Sequence, residues 1–315
     1  MTTLDLINNL STDNIRSLAK LLSIVESNAA DSKQVLSSLF PKAKNAVVIG
    51  FTGSPGAGKS TLVDRLCEYL VKLGKKCAIL AVDPSSPYSG GAILGDRIRM
   101  SHVNSSSEVF IRSMSSRGKL GGLAPRTSEC ITVLDAAGFD YILVETVGVG
   151  QGEVDIVRNC DVTVVVLVPG MGDSIQALKA GILEIADLFV INKADYDGAD
   201  RLEKELLSIF KDGNIPEEKR PPIVRTIGRS GEGVLELAET LSKVRERARL
   251  SGTLENRKQV FLEQFLESRV VEGLVSKFQR EIKATPIWQD ALARLNAHQV
   301  DPETLAQELL KNPKS

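Results

Sequence analysis

The run Gly53-Ser54-Pro55-Gly56-Ala57-Gly58-Lys59-Ser60-Thr61 carries the most legible chemistry in this chain. A glycine, four residues, then Gly-Lys-Ser is the spacing of a P-loop. Glycine lets successive backbone N–H groups turn toward one concavity, and a helix beginning there aims its positive end at the same point. The expected occupant is therefore a polyphosphate. Lys59 would reach the outer phosphates as a point charge, and the Ser60 hydroxyl would be a ligand of the Mg²⁺ that bridges them. The strand-like Val47-Val48-Ile49-Gly50 before the loop, and Leu62, Leu66, Tyr69, Leu70 and Leu73 at helical spacing after it, supply the strand–loop–helix context such a cradle requires.

Three further constellations follow strand-like runs. Asn192-Lys193-Ala194-Asp195 comes after Leu188-Phe189-Val190-Ile191. The Asp195 carboxylate can accept from the N1–H and 2-amino group of guanine, a donor pair that adenine lacks on that edge, so GTP is expected over ATP. Asn192 and Lys193 would brace the neighbouring loops and the ring. Glu145 ends the run Tyr141-Ile142-Leu143-Val144, with Gly148 three residues on. An acid at a strand tip facing Mg²⁺, followed by a glycine amide able to sense a γ-phosphate, is the arrangement of a metal-binding switch. Asp83 also ends a strand-like run, and Asp96 lies in the glycine-rich stretch Gly90 to Arg97. A hard cation needs oxygen ligands but keeps several waters, so Ser60 with one or two of Asp83, Asp96 and Glu145 suffices. The loop from Pro84 to Arg99 is expected to bring Asp96 to the metal or to the attacking water in one nucleotide state. Lys59, Asp96 and Glu145 are the expected catalytic groups.

These residues need a frame. Strand-like segments at 46–51, 77–82, 108–112, 141–145, 162–168, 187–191 and 222–226 alternate with helical patterns. Such alternation predicts an α/β fold: a mostly parallel P-loop NTPase sheet flanked by helices, with its ligands outside the carboxyl ends of the strands. Short helices are expected before it, with Leu18, Leu21, Leu22 and Val25 and then Val35, Leu36 and Leu39 at helical spacing ahead of Pro41. After about residue 250 the pattern is purely helical. Phe261, Phe265, Leu266, Val270, Leu274, Phe278 and Ile282 form an expected apolar stripe that Pro286 ends, and helices around Trp288–Leu295 and up to Leu310 follow. The domain reading is an N-terminal helical segment over 1–44, a P-loop domain over 45–248 and a helical extension over 249–315. The long C-terminal helix either packs across its own domain or crosses to a second subunit.

Composition narrows the function classes. The 315 residues hold 25% charged and 43% apolar residues with a net charge of −1, values of a soluble globular protein with no electrostatic case for nucleic acid or membrane. Cys67, Cys77, Cys130 and Cys160 form no CxxC pair and read as buried, reduced thiols in a cytoplasmic protein. His102 and His298 are the only histidines, too few and too far apart for a histidine-based metal site or triad.

The segments DPSSPYSGGAILGDRIRM, FIRSMSSRGKLGGLA, LDAAGFD, ETVGVGQGEVDI, VVVLVPGMGDSIQALKAGILEIAD and NKAD resemble the MeaB/ArgK family of GTPases, bacterial relatives of the human methylmalonic aciduria type A protein. The resemblance is strong over 46–235 and weak in the terminal helices. It implies a homodimeric GTPase that acts as a chaperone of adenosylcobalamin-dependent acyl-CoA mutases, coupling GTP hydrolysis to cofactor loading, protection or reactivation. It puts phosphate binding on Gly53 to Thr61, metal-linked roles on Ser60, Asp83, Asp96 and Glu145, and base recognition on Asn192, Lys193 and Asp195, with Ile227, Gly228 and Arg229 closing over the guanine. It marks Gly170 to Lys179, including Asp173, Gln176 and Lys179, as a switch that reports nucleotide state to the mutase. Thr226-Ile227-Gly228 departs from the Thr-Ser-Ala-like sequence usual at that place. Gln151 stands three residues beyond Gly148, whereas the familiar hydrolytic glutamine directly follows that glycine. Slow hydrolysis accelerated by a partner is the expectation, with Arg97, Arg99 or Lys179 as candidate fingers. A kinase or ATPase of lysine/arginine/ornithine transport is the alternative; a nickel-type maturation GTPase would carry a Cys/His segment before or near the P-loop, and this chain has none there, its first cysteine being Cys67.

Overall fold

The P-loop strand sits at the centre of the sheet. In a computed structural model that describes residues 1–83, 108–115, 126–146, 160–170 and 185–311, the strands are β1 (Val47–Thr52), β2 (Cys77–Asp83), β3 (Val109–Ser115), β4 (Tyr141–Glu145), β5 (Val162–Leu167), β6 (Leu188–Asn192) and β7 (Ile223–Thr226). They form one seven-stranded sheet in the order β3-β2-β4-β1-β5-β6-β7, and every pairing is parallel. Parallel strands covered on both faces must be apolar on both sides. β5, Val-Thr-Val-Val-Val-Leu, is buried at every position, and so is β6. The fold is the α/β, parallel P-loop NTPase sheet that the alternating pattern predicts. β3 runs three residues beyond its expected end because it pairs with β2 along its whole length, up to Asp83 opposite Ser115.

Helices cover both faces. On one lie α1 (Thr3–Asn8), α2 (Ile15–Glu26) and α3 (Ser32–Leu39) with α5 (Thr127–Ala137); on the other lie α4 (Lys59–Lys72) and α7 (Val234–Leu250), while α6 (Ala199–Asp212) packs on Val165, Leu167, Phe189 and Ile191, on the face opposite α4 and α7. The N-terminal helices are set by their ends and their stripes. Thr2 and Asp5 form a reciprocal capping box on α1, and the Asn14 side chain accepts from the Ser17 amide to open α2. Leu18, Leu21, Leu22 and Val25 are then wholly buried. Each such side chain contributes about 1.5–3 kcal/mol relative to exposure.

Aspartates fasten the amino edge of the sheet. Asp140, Asp161 and Asp187 each immediately precede a strand, and each reaches across to a backbone N–H beside or in the neighbouring strand. Asp140 Oδ2 accepts from Lys76 N at 2.8 Å, Asp161 Oδ2 from Val48 N at 3.3 Å, and Asp187 Oδ2 from Thr163 N at 2.9 Å. Asp135, near the end of α5, accepts from the amides of Lys44, Asn45 and Ala46 at 3.1, 3.3 and 2.8 Å. That contact sets the direction in which the chain enters β1.

The chain divides into two compact units, Met1–Leu254 and Glu255–Ser315. The second holds most of α8 (Thr253–Phe278), a π turn over Gln279–Lys283, α9 (Pro286–Asn296) and α10 (Pro302–Lys311). The expected apolar stripe does not lie on one covered face. Residues four apart drift around a helix of 3.6 residues per turn, and Leu266, Val270 and Leu274 are exposed while Ile282 is buried. Pro286 opens α9 at its first position, where its missing N–H is harmless, rather than ending α8. Phe278 meets Trp288 edge-on at 5.6 Å, and Arg294 pairs with Glu308 at 3.0 Å. Among the described residues no helix is long and apolar enough to cross a membrane.

All four cysteines are buried free thiols. Burial raises the pKa values of Cys130 and Cys160. The adjacent Cys77 thiol, and then burial, raise that of Cys67.

Candidate nucleotide-binding site

The carboxyl ends of β1, β2, β4, β6 and β7 bring the sequence-predicted residues to one edge. Gly53 follows β1 at φ +136°, with Gly56 and Gly58 also in the left-handed region, at +77° and +84°. A Cβ on Gly53 would stand 2.1 Å from the Val166 carbonyl oxygen of β5, and one on Gly58 would stand 2.4 Å from Asn192 Nδ2. Glycine is thus demanded twice over, by backbone conformation and by close approach. Gly58 leads directly into α4, whose first residue is Lys59, so the free N–H groups of the first turn face the loop.

Lys59 is only 5% exposed. Its Nζ donates to the carbonyl oxygens of Gly53 at 2.7 Å and Ser54 at 3.1 Å, which holds the ammonium across the mouth of the loop. Ser60 Oγ donates to Glu145 Oε1 at 2.6 Å, and Glu145 is buried at the tip of β4, in register with Phe51 of β1 and Ala81 of β2. A hydroxyl and a carboxylate oxygen at one point beside the loop are two hard donors, a set that fits Mg²⁺. No group of three or more histidine, cysteine or acidic side chains that could hold a metal ion occurs among the described residues. Asp83 closes β2 two strands from β1. Asp96, Gly148, Asp173, Gln176 and Lys179, like Arg97, Arg99 and Gln151, lie outside the described residues.

Asn192 joins the two halves of the site. Buried at the end of β6, its Nδ2 donates to the Ala57 carbonyl oxygen at 2.8 Å. Its Oδ1 accepts from Thr226 Oγ1 at 3.1 Å and from the Gly228 amide at 3.0 Å. One side chain therefore fixes the P-loop, β7 and the loop after β7 relative to one another. Lys193, at φ +54°, sends its Nζ to the Gly56 carbonyl oxygen at 3.0 Å and lies 5.7 Å from the Tyr196 ring centroid. Asp195 is exposed.

The loop Ile227-Gly228-Arg229 is tied to itself and to its neighbours. The Ile227 amide donates to the Glu232 carbonyl at 3.0 Å, and the Gly231 amide to the Ile227 carbonyl at 2.9 Å. Sequence reasoning missed three contributors. Thr226 acts through its hydroxyl. Thr146 Oγ1 donates to the Phe51 carbonyl at 3.3 Å and so ties the end of β4 to β1. Arg65, six residues into α4, donates through Nη2 to the Arg229 carbonyl at 2.8 Å. Thr226 was within reach, because it directly precedes the departing Ile227-Gly228. Nothing in the local sequence marks Arg65.

Comparison with known proteins identifies the family. A protein of Pyrococcus abyssi described as a GTPase is 42% identical over 311 residues, covering 98% of this chain and 95% of that one. The GTPase ArgK of Escherichia coli is 32% identical over 302 residues, 93% of this chain and 91% of its own. The mitochondrial methylmalonic aciduria type A homolog of Mus musculus is 37% identical over 235 residues, 73% of this chain and 57% of that one. A crystal structure described as a LAO/AO transport system kinase superposes with a TM-score of 0.70 at 25% identity, covering 100% of this chain and 98% of that one. The profile of the family described as methylmalonyl Co-A mutase-associated GTPase MeaB matches residues 18–283, and the chain belongs to that family.

Proposed function

We propose that this protein binds GTP with Mg²⁺, hydrolyses it slowly, and uses the cycle as a chaperone of an adenosylcobalamin-dependent acyl-CoA mutase in the cytoplasm. The observation that carries the nucleotide reading is the Asn192 joint. A single buried side chain links the phosphate loop, through Ala57, to Gly228 of the loop after β7, and the residues that would read guanine follow it directly in the chain. Membership of the MeaB family supports the mutase as partner.

In this reading Lys59 exchanges its two loop carbonyls for phosphate oxygens and stays where negative charge grows during transfer. Ser60 and Glu145 would hold Mg²⁺, with Asp83 and Asp96 as further oxygen donors. Mg²⁺ held there would supply positive charge against that of the phosphates. Asp195 accepts from the guanine edge, Lys193 and Tyr196 flank the ring, and Ile227 to Arg229 close over it. Gly148 and the stretch containing Asp173, Gln176 and Lys179 would register loss of the γ-phosphate. The helices after residue 249 are the proposed dimerisation element, consistent with the apolar side chains that α8 leaves exposed.

Fluorescent GDP and ADP titrations test the base preference, with the guanine nucleotide expected to bind at least 100-fold more tightly because adenine leaves polar groups unpaired. Equal affinity would end the GTP reading. Pull-down from the source extract, with and without a non-hydrolysable GTP analogue, tests the partner, and recovery of a different protein class would end the chaperone reading. Radiolabelled γ-phosphate appearing on an acceptor rather than in solution would favour a kinase instead.

A further inference from the structure

The loop after β7 has two anchors outside itself. One is Asn192, which takes the Gly228 amide at 3.0 Å. The other comes from the phosphate side of the site: Arg65 of α4 donates through Nη2 to the Arg229 carbonyl at 2.8 Å, across 164 residues of sequence. Around these anchors the loop is tight. A Cβ on Gly228 would meet the Thr61 methyl at 3.6 Å, a Cβ on Gly231 would lie 3.9 Å from Arg65 Cδ, and Gly233 cannot carry one, since it would stand 2.1 Å from the Arg225 carbonyl. Thr61 and Arg65 together make the first half of α4 the bed on which the loop rests.

Arg65 is itself held. Its Nη1 pairs with Glu68 Oε2 at 3.1 Å, and Glu68 Oε1 takes Lys72 at 2.7 Å. Its Nε is buried with no hydrogen-bond partner among the described residues. A buried donor without an acceptor is unfavourable. The guanidinium is therefore oriented by its two Nη contacts and not by the most complete hydrogen bonding open to it. An arginine that served only its own helix would need the Glu68 contact and nothing more.

We propose that Arg65 is a positioning residue for guanine-nucleotide retention: it clamps the Ile227–Arg229 loop onto the P-loop helix and thereby sets how long the base stays covered. This rests on the GTP reading above. The residue touches neither base nor phosphate in this role, so its loss should act on release and not on the chemical step.

The test uses the full chain and fluorescent methylanthraniloyl-GDP, chased with excess unlabelled GDP in a stopped-flow instrument. Arg65→Ala should speed release roughly ten-fold, the worth of one hydrogen bond from a charged donor. It should raise KM for GTP by a similar factor while changing kcat far less. Arg65→Lys, which restores one charged donor, should recover part of the retention. Inorganic tripolyphosphate has no base, so its inhibition constant as a competitor of GTP should be the same for the native protein and for Arg65→Ala. Release from Arg65→Ala at the native rate, or an equal weakening of tripolyphosphate, would overturn the inference. If Arg65→Ala does not fold, Arg65→Lys and Glu68→Gln decide: faster release from both supports the clamp, and native rates in both refute it. A native protein that never holds the labelled GDP would sink the nucleotide reading and the clamp together, whereas a native protein that holds it beside an Arg65→Ala variant of equal retention sinks the clamp alone.

Discussion

The two edges of the sheet are built by opposite means. At the amino edge, Asp140, Asp161 and Asp187 stand just before their strands and take backbone amides of the neighbours. At the carboxyl edge β2 and β4 also end in acids, Asp83 and Glu145, but around the phosphate loop stand glycines, a lysine and an asparagine, and the bonds there run to carbonyl oxygens: Lys59 to Gly53 and Ser54, Asn192 to Ala57, Lys193 to Gly56. The first arrangement supplies negative acceptors and uses up N–H groups. The second supplies donors to the phosphate loop and satisfies its carbonyls, which leaves the N–H groups of the first turn of α4 for an anion. The contrast teaches that one edge is closed chemistry and the other is open toward phosphate, although the same strands carry both.

The sharpest way to break this comparison is Lys59→Ala. It removes the donor that spans the open edge, and turnover of GTP should fall on the order of 100- to 1000-fold, as when one group stabilising transferred charge is lost, measured by phosphate release at saturating nucleotide. Retained turnover would mean that the open edge is not the catalytic one. At the closed edge the largest effect should come from Asp161→Ala, which strips the acceptor from the Val48 amide and from Arg245 Nε, 3.2 Å away. Urea unfolding should show a loss of about 2 kcal/mol, since a buried amide and a charged donor lose their partner, while GDP affinity should hold within about two-fold because no site residue is touched. If affinity fell as far as stability, the two edges would not be separable.

Thr226→Val sharpens the picture from within the site. The hydroxyl bonded to Asn192 Oδ1 disappears and the Gly228 amide remains, so GDP affinity should fall by roughly three- to ten-fold, the range for one buried neutral hydrogen bond. Acid gives the smallest effect. Hydrogen bonds from Lys72 and then Arg65 hold the Glu68 carboxyl below its ordinary pKa. A carboxyl whose pKa is depressed on folding contributes stability above its unfolded pKa and loses it as pH falls through the folded value. Between pH 6 and pH 3, labelled-GDP release should therefore quicken slightly in the native protein. Glu68→Gln should remove that component.

Much of the fold was legible because its strands are buried on both faces and read as unbroken apolar runs, with Val162–Leu167 the plainest. β3 was underestimated because Ser113 and Ser115 interrupt its apolar character, though pairing with β2 carries it through them. The stripe on α8 was over-read. Its spacing is helical, but it turns around the helix, and sequence does not tell a covered face from an exposed one. In the candidate site, the P-loop and the Asn192–Asp195 run are local patterns whose spacing already implies a shape. Arg65 and the strand-start aspartates are not local. Their partners are set by strand order, and the Asn192–Ala57 bond joins residues 135 positions apart. Aspartate before a strand reads in sequence as an ordinary turn residue.

The ammonium of Lys59 has a consequence for how the site fills. Because it already satisfies two oxygens of its own loop, an arriving anion must offer more than they do. A lone chloride or a carboxylate is a poor substitute, whereas a chain of phosphates also engages the first turn of α4 and displaces both carbonyls at once. The cradle is thereby suited to the linked charges of a phosphate chain more than to a single small anion.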